Sequence, residues 1–71
     1  MAVLKVIEIM AGSSKGWEDA TARAVAKASK SLKGIRSVWM QDQSATVGKN
    51  GKIKEYRVTC RISFEVGGSA N

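Results

Sequence analysis

Glu55-Tyr56-Arg57-Val58-Thr59-Cys60-Arg61-Ile62-Ser63-Phe64-Glu65-Val66 is the stretch whose reading decides the fold. Tyr56, Val58, Cys60, Ile62, Phe64 and Val66 fall on one side of an extended chain. Glu55, Arg57, Thr59, Arg61, Ser63 and Glu65 fall on the other. A period of two held this long predicts a strand with its apolar side covered and its polar side open. The strand is expected from about Lys52 to Val66.

Just upstream lies Gly48-Lys49-Asn50-Gly51, a turn joining this strand to an earlier one from about Arg36 to Val47. A two-residue Asn50-Gly51 turn is the common solution, but it sets Trp39 beside Ile62 and Gln41 beside Cys60. A three-residue loop with Gly51 in the left-handed region sets Val38 beside Ile62 and Met40 beside Cys60, apolar on apolar. A one-residue slip sends every side chain to the wrong face, so the three-residue loop is preferred. In that register Trp39, Gln41, Gln43, Arg57 and Arg61 share the polar face.

Further upstream, Trp17, Ala20, Ala24, Val25, Ala28 and Leu32 recur at three- and four-residue spacing and predict a helix from about Ser14 to Lys33. Ser13 or Ser14 is the expected cap, Glu18 and Asp19 suit the positive helix end, and Gly34 is a fitting left-handed stop. The stripe is mostly alanine, which lets the helix lie close on a sheet. Val3 to Met10, with Val3, Val6, Ile7 and Ile9, reads as a first strand broken by Ala11-Gly12-Ser13-Ser14. The expected fold is α+β, in the order β-α-β-β. It is a three-stranded antiparallel sheet with one helix packed across one face, in a single domain over residues 1–71 whose last residues, about 67–71, form a frayed tail.

Seventy-one residues make a small core, and chains of this size bury only about 60% of their unfolded surface. Cys60 is the sole cysteine, so no disulfide can help. Without histidine, one cysteine cannot make a four-ligand nitrogen–sulfur zinc site. Association with other copies is what remains. Zero histidine also removes the commonest general base and the Ser–His and Cys–His nucleophiles, so no enzyme is expected. No apolar run is long enough to span a membrane. The lone cysteine and the lack of an export signal fit a reducing cytoplasm. The six carboxylates show no metal-loop spacing.

Twelve Lys and Arg against six Asp and Glu give a net charge of +6, which attracts anions. Arg23, Lys27, Lys30 and Lys33 can neutralise phosphates. None of the four aromatics lies in a basic–aromatic stripe, however, so a solvated helix face is the simpler reading and nucleic acid is not the expected partner. Trp39 is the most informative residue. On the polar face it is either covered by a neighbouring subunit or a platform for a flat ligand, with Arg61 opposite it.

The order of elements, together with Lys5-Val6-Ile7-Glu8-Ile9, Gly12-Ser13-Ser14-Lys15-Gly16-Trp17-Glu18 and Lys54-Glu55-Tyr56-Arg57-Val58, resembles the dodecin family from about Val3 to Val66. The resemblance implies a homo-oligomer, a hollow dodecamer, that binds flavin (FMN or riboflavin) in pairs for storage. Flavin-binding members stack the ring on a Trp early in the second strand and bond its edge with a Gln in the third. Those positions fall at Ser37 and Arg57 here. Trp39, two residues on, shares the face of Ser37, and Gln41 and Gln43 offer amides nearby. The Trp at the helix start, Trp17, is closer to the subgroup without the flavin Trp. Members are also usually acidic, and this chain is basic. The residues expected to hold a ligand are therefore Ser37, Trp39, Gln41, Gln43, Arg57 and Arg61. A flavin-independent cation- or anion-binding shell is the first alternative and a basic nucleic-acid-binding module the second.

Overall fold

The computed structural model describes residues 3–66, and the expected tail at 67–71 lies outside them. Four elements follow in the expected order: β1 (Leu4–Ser13), α1 (Trp17–Ser29), β2 (Ile35–Val47) and β3 (Ile53–Glu65). The strands form one antiparallel sheet in the order β1-β3-β2, so the most regularly alternating strand takes the centre. Its apolar side faces the helix. Val58, Cys60 and Ile62 are buried there against Ala20 and Ala24, with Ile9, Trp17 and Met40 at the margin. Full burial of a Val or Ile contributes about 1.5–3 kcal/mol, and with so few large side chains the core of one copy is thin. No helix among the described residues is long and apolar enough to cross a membrane.

The hairpin register is the one chosen for apolar pairing. Val38 lies opposite Ile62, Trp39 opposite Arg61 and Met40 opposite Cys60. Gly51 has φ 79°, as the three-residue loop requires, and Gly34 has φ 74° where the chain turns into β2.

Four expectations need correction. First, β1 does not break at Ala11. It runs to Ser13, because β3 continues past it and offers Val58, Arg57 and Tyr56 as partners for Ala11, Gly12 and Ser13. Second, α1 is shorter at both ends than Ser14–Lys33, and neither serine caps it. Gly16 is the N-cap at φ 157° and ψ 174°, a conformation nearly restricted to glycine. Ser13 Oγ instead donates to the Asp19 carboxylate and accepts from the Lys15 amide at 2.9 Å. Third, β2 is bulged. The register shifts between Met40 and Asp42, so Asp42 pairs with Thr59, Gln43 with Val58 and Ser44 with Arg57. Gln43 therefore leaves the face of Trp39 for the helix side, and Gln41 is the unpaired extra residue. Fourth, the face away from the helix is less polar than β3 alone implied. Through pairing with Glu65, Ser63 and Thr59, β1 places Leu4, Val6 and Met10 there, all exposed.

Candidate functional site

The face of the sheet turned away from α1 is open, and its side chains are ordered in rows by the strand pairing. One row reads Glu8, Arg61, Trp39 across β1, β3 and β2. The row on one side is Val6, Ser63, Ser37, and that on the other is Met10, Thr59, Asp42. Beyond them stand Gly12, Arg57 and Ser44. Trp39 is 65% exposed, a large apolar ring mostly uncovered by its own chain. The Arg61 guanidinium carbon lies 5.9 Å from the ring centroid, within cation–π reach. Arg61 thereby occupies one side of the indole and leaves the other for a flat group.

Ser37 and Arg57, the two residues that the resemblance sets at flavin-holding positions, are differently engaged. Ser37 Oγ is hydrogen-bonded to Ser63 Oγ, hydroxyl to hydroxyl across the strands. The Arg57 Nε donates to Glu55 at 2.9 Å. Glu55 also lies against Gly12, where a Cβ would stand 2.5 Å from the Glu55 carboxylate. Neither position supplies the aromatic ring or the amide that the resemblance implies there. A stack on Trp39 lies two residues further along the strand, a displacement of about 6.8 Å.

Of the six expected residues, the sheet brings Ser37, Trp39, Arg57 and Arg61 to one face. Gln41 sits at the bulge on its edge. Gln43 stands apart, lining a cleft of about 420 Å³ between β2 and the start of α1, with Lys15, Trp17, Asp19 and Met40. Trp17 walls this cleft but is tied down as a packing residue. Its Nε1 donates to the Ser44 carbonyl at 2.9 Å, and its ring meets Tyr56 edge-on at 4.9 Å. The hydrogen bond from Ser13, and then that from Arg23 at 2.7 Å, hold the Asp19 carboxyl below its ordinary value. Sequence reasoning missed Glu8, Met10 and Asp42 as members of the open face. The alternation of β1 offered the first two; nothing in β2 marked the bulge that delivers the third.

For a hard cation, the open face supplies single carboxylates rather than a nest. Among the described residues no three of His, Cys, Asp and Glu come together, and calcium takes 6–8 oxygens. A carboxylate cluster on this face would take donors from more than one copy.

A family model described as Dodecin matches residues 3–67. The chain is 39% identical over 66 residues to the calcium dodecin of Mycobacterium tuberculosis, covering 93% of this chain and 92% of that one. It superposes on the crystal structure of calcium dodecin from the same organism, which carries a calcium-binding site, with a TM-score of 0.81 at 37% identity and 99% of both chains covered. A variant of the T. thermophilus dodecin gives a TM-score of 0.88 at 29% identity, covering 96% of this chain and all of that one.

Proposed function

From the premise that the chain belongs to the dodecin family, we propose that it is a homo-oligomeric small-ligand binding and storage protein that performs no turnover. Its ligand lies on the open face of the sheet, against Trp39, with a second copy closing the site. The carrying observation is the exposed Trp39 ring with Arg61 on one side of it. Around it Leu4, Val6 and Met10 leave an apolar surface that the helix cannot cover. Burying this surface against other copies supplies what a thin core lacks, and the family's dodecamer is the expected assembly.

The ligand best suited to this face is planar and anionic, such as a phosphorylated flavin. The ring stacks on the free side of Trp39, while Arg61, which is in no ion pair among the described residues, meets the phosphate, with Arg57 held by Glu55. Sedimentation with fluorescence titration against riboflavin and FMN tests both halves. The expected result is an oligomer that quenches flavin fluorescence and prefers the phosphorylated form. A monomer at micromolar concentration, or no quenching at tens of micromolar flavin, refutes the reading.

A second reading is favoured by the relative named for calcium. Here Glu8 or Asp42 of several copies would surround a cation at a subunit junction. Calorimetric titration of the oligomer with calcium, repeated on Asp42→Asn and Glu8→Gln, separates this reading from the first.

A further inference from the structure

The charge of +6 is not spread over the molecule. On the open face, Arg36, Arg57 and Arg61 stand against Glu8, Asp42, Glu55 and Glu65, and two of the arginines are ion-paired there, Arg36 with Glu65 at 3.0 Å and Arg57 with Glu55. The open face is therefore close to neutral. The rest of the chain holds Arg23 and every lysine, nine cations in all, against only Glu18 and Asp19. All eight lysines are exposed. Arg23, Lys27 and Lys30 follow one another at helical spacing along the side of α1 away from its buried alanines. Lys33 follows the helix end, and Lys15 precedes its start at the mouth of the cleft toward β2. Among these cations, Arg23 is partnered by Asp19.

We propose that this helix side is a docking surface for the phosphodiester backbone of duplex nucleic acid, bound without reading its sequence. Read from the sequence alone, the cluster was a solvated helix face. The structure adds that the surplus charge lies off the near-neutral sheet face on which copies close: the five cations Lys15, Arg23, Lys27, Lys30 and Lys33 along α1 and its flanks, Lys49, Lys52 and Lys54 at the β2–β3 turn, and Lys5 in β1. Assembly therefore multiplies the basic surface rather than hiding it, and repeated weak phosphate contacts combine into avidity. The absence of sequence readout follows from the aromatics. Trp17, Tyr56 and Phe64 are half-buried, and Trp39 belongs to the open face, so no exposed ring on the helix side can stack on a base. An anionic membrane is the less suited polyanion. Insertion into a lipid interface needs exposed apolar side chains, and among the described residues no large one is exposed on α1 or on the connections at its two ends.

The test is fluorescence anisotropy with a labelled mixed-sequence duplex, using the assembled protein over a range of salt. With Lys15, Lys27, Lys30 and Lys33 each neutralising a phosphate, affinity is expected to fall roughly a hundred-fold between about 50 and 200 mM salt. Two duplexes of unrelated sequence should bind alike. Reversal at Lys27→Glu, Lys30→Glu and Lys33→Glu together should abolish binding. The milder triple change to Gln should weaken it at least ten-fold with the sedimentation profile and far-UV dichroism unchanged. The proposal is overturned if the wild type ignores duplex at micromolar concentration and low salt, or if the triple Gln variant is folded and binds as well as the wild type. It is overturned equally if vesicles rich in acidic lipid capture the protein while duplex does not.

Discussion

Replacing Trp39 by Ala should weaken binding of a flat ligand by about thirty-fold, and the figure follows from the ring's surroundings. An indole offers roughly 250 Å² at most, and Trp39 keeps 65% of its surface open. Covering all of the open part is worth about 4 kcal/mol at 25 cal/mol per Å². A flat ligand stacks on one face of the ring and covers only about half of that open part, close to 2 kcal/mol, within the 1–3 kcal/mol typical of ring stacking on an aromatic. At 1.4 kcal/mol per decade that is roughly thirty-fold in Kd. Fluorescence titration with FMN reads this directly. Arg61→Gln serves as the companion variant, because it removes a cation–π contact of about 0.5–2 kcal/mol and a candidate phosphate partner, and so should reduce the preference for FMN over riboflavin. The sedimentation profile must be unchanged in both, since Trp39 also lies where copies would meet. If wild type binds FMN and an assembled Trp39→Ala binds it equally well, the stacking argument fails and the ligand lies off this face.

Two further expectations concern stability, each read at fixed protein concentration because association shifts apparent stability. Ile62 is fully buried on the central strand between Ile7 and Val38, so Ile62→Ala should cost about 3 kcal/mol in urea unfolding; a loss under about 1 kcal/mol would contradict a close-packed helix–sheet seam. Asp19 is held below its ordinary value of 3.8 by Ser13 first and Arg23 next. A lowered folded value means that its stabilisation is complete above the unfolded value and fades as pH falls through the folded one. Asp19→Asn should therefore flatten the acid limb below about pH 4 in a far-UV dichroism titration, and an unchanged limb would show that the Ser13–Asp19–Arg23 link carries no stability.

The sequence made the centre of the fold legible and left its margins obscure, for physical reasons. The alternation of Tyr56 to Phe64 and the need to pair Met40 with Cys60 set the strand register, because a slip there would turn Trp39 and Gln41 toward the alanine stripe. The bulge at Gln41 left no mark. A bulge is a backbone event available to most side chains. Two shifts of opposite sense, one passing over Lys54 between Val47 and Thr46 and one passing over Gln41, turn Gln43 to the helix side and return Trp39 to the register set by the turn. The serines before the helix looked like caps because cap preference is a local property. Ser13 instead stays in β1, whose length is set by a partner strand more than forty residues away. The open face was misjudged as polar for a related reason: its apolar members Leu4, Val6 and Met10 come from β1, whose alternation is weaker than that of β3. Which ligand residues matter is harder still, since a site closed by a second copy is written in no single chain.

The strand order β1-β3-β2 also governs the timing of folding. β2 and β3 are neighbours through a short turn and can zip together locally, an event of microseconds. β1 pairs only with β3, across separations of 43 residues at Ser13 and Tyr56 and 61 at Leu4 and Glu65. During synthesis the first strand therefore emerges with no partner and stays unpaired until the last strand is complete. Its docking closes the longest loop in the molecule, and non-local closure of this kind slows folding. Until then Val6, Ile7 and Ile9 form an apolar segment open to the wrong strands. Lys5 and Glu8, set within that segment, are the charges that oppose mispairing while it waits.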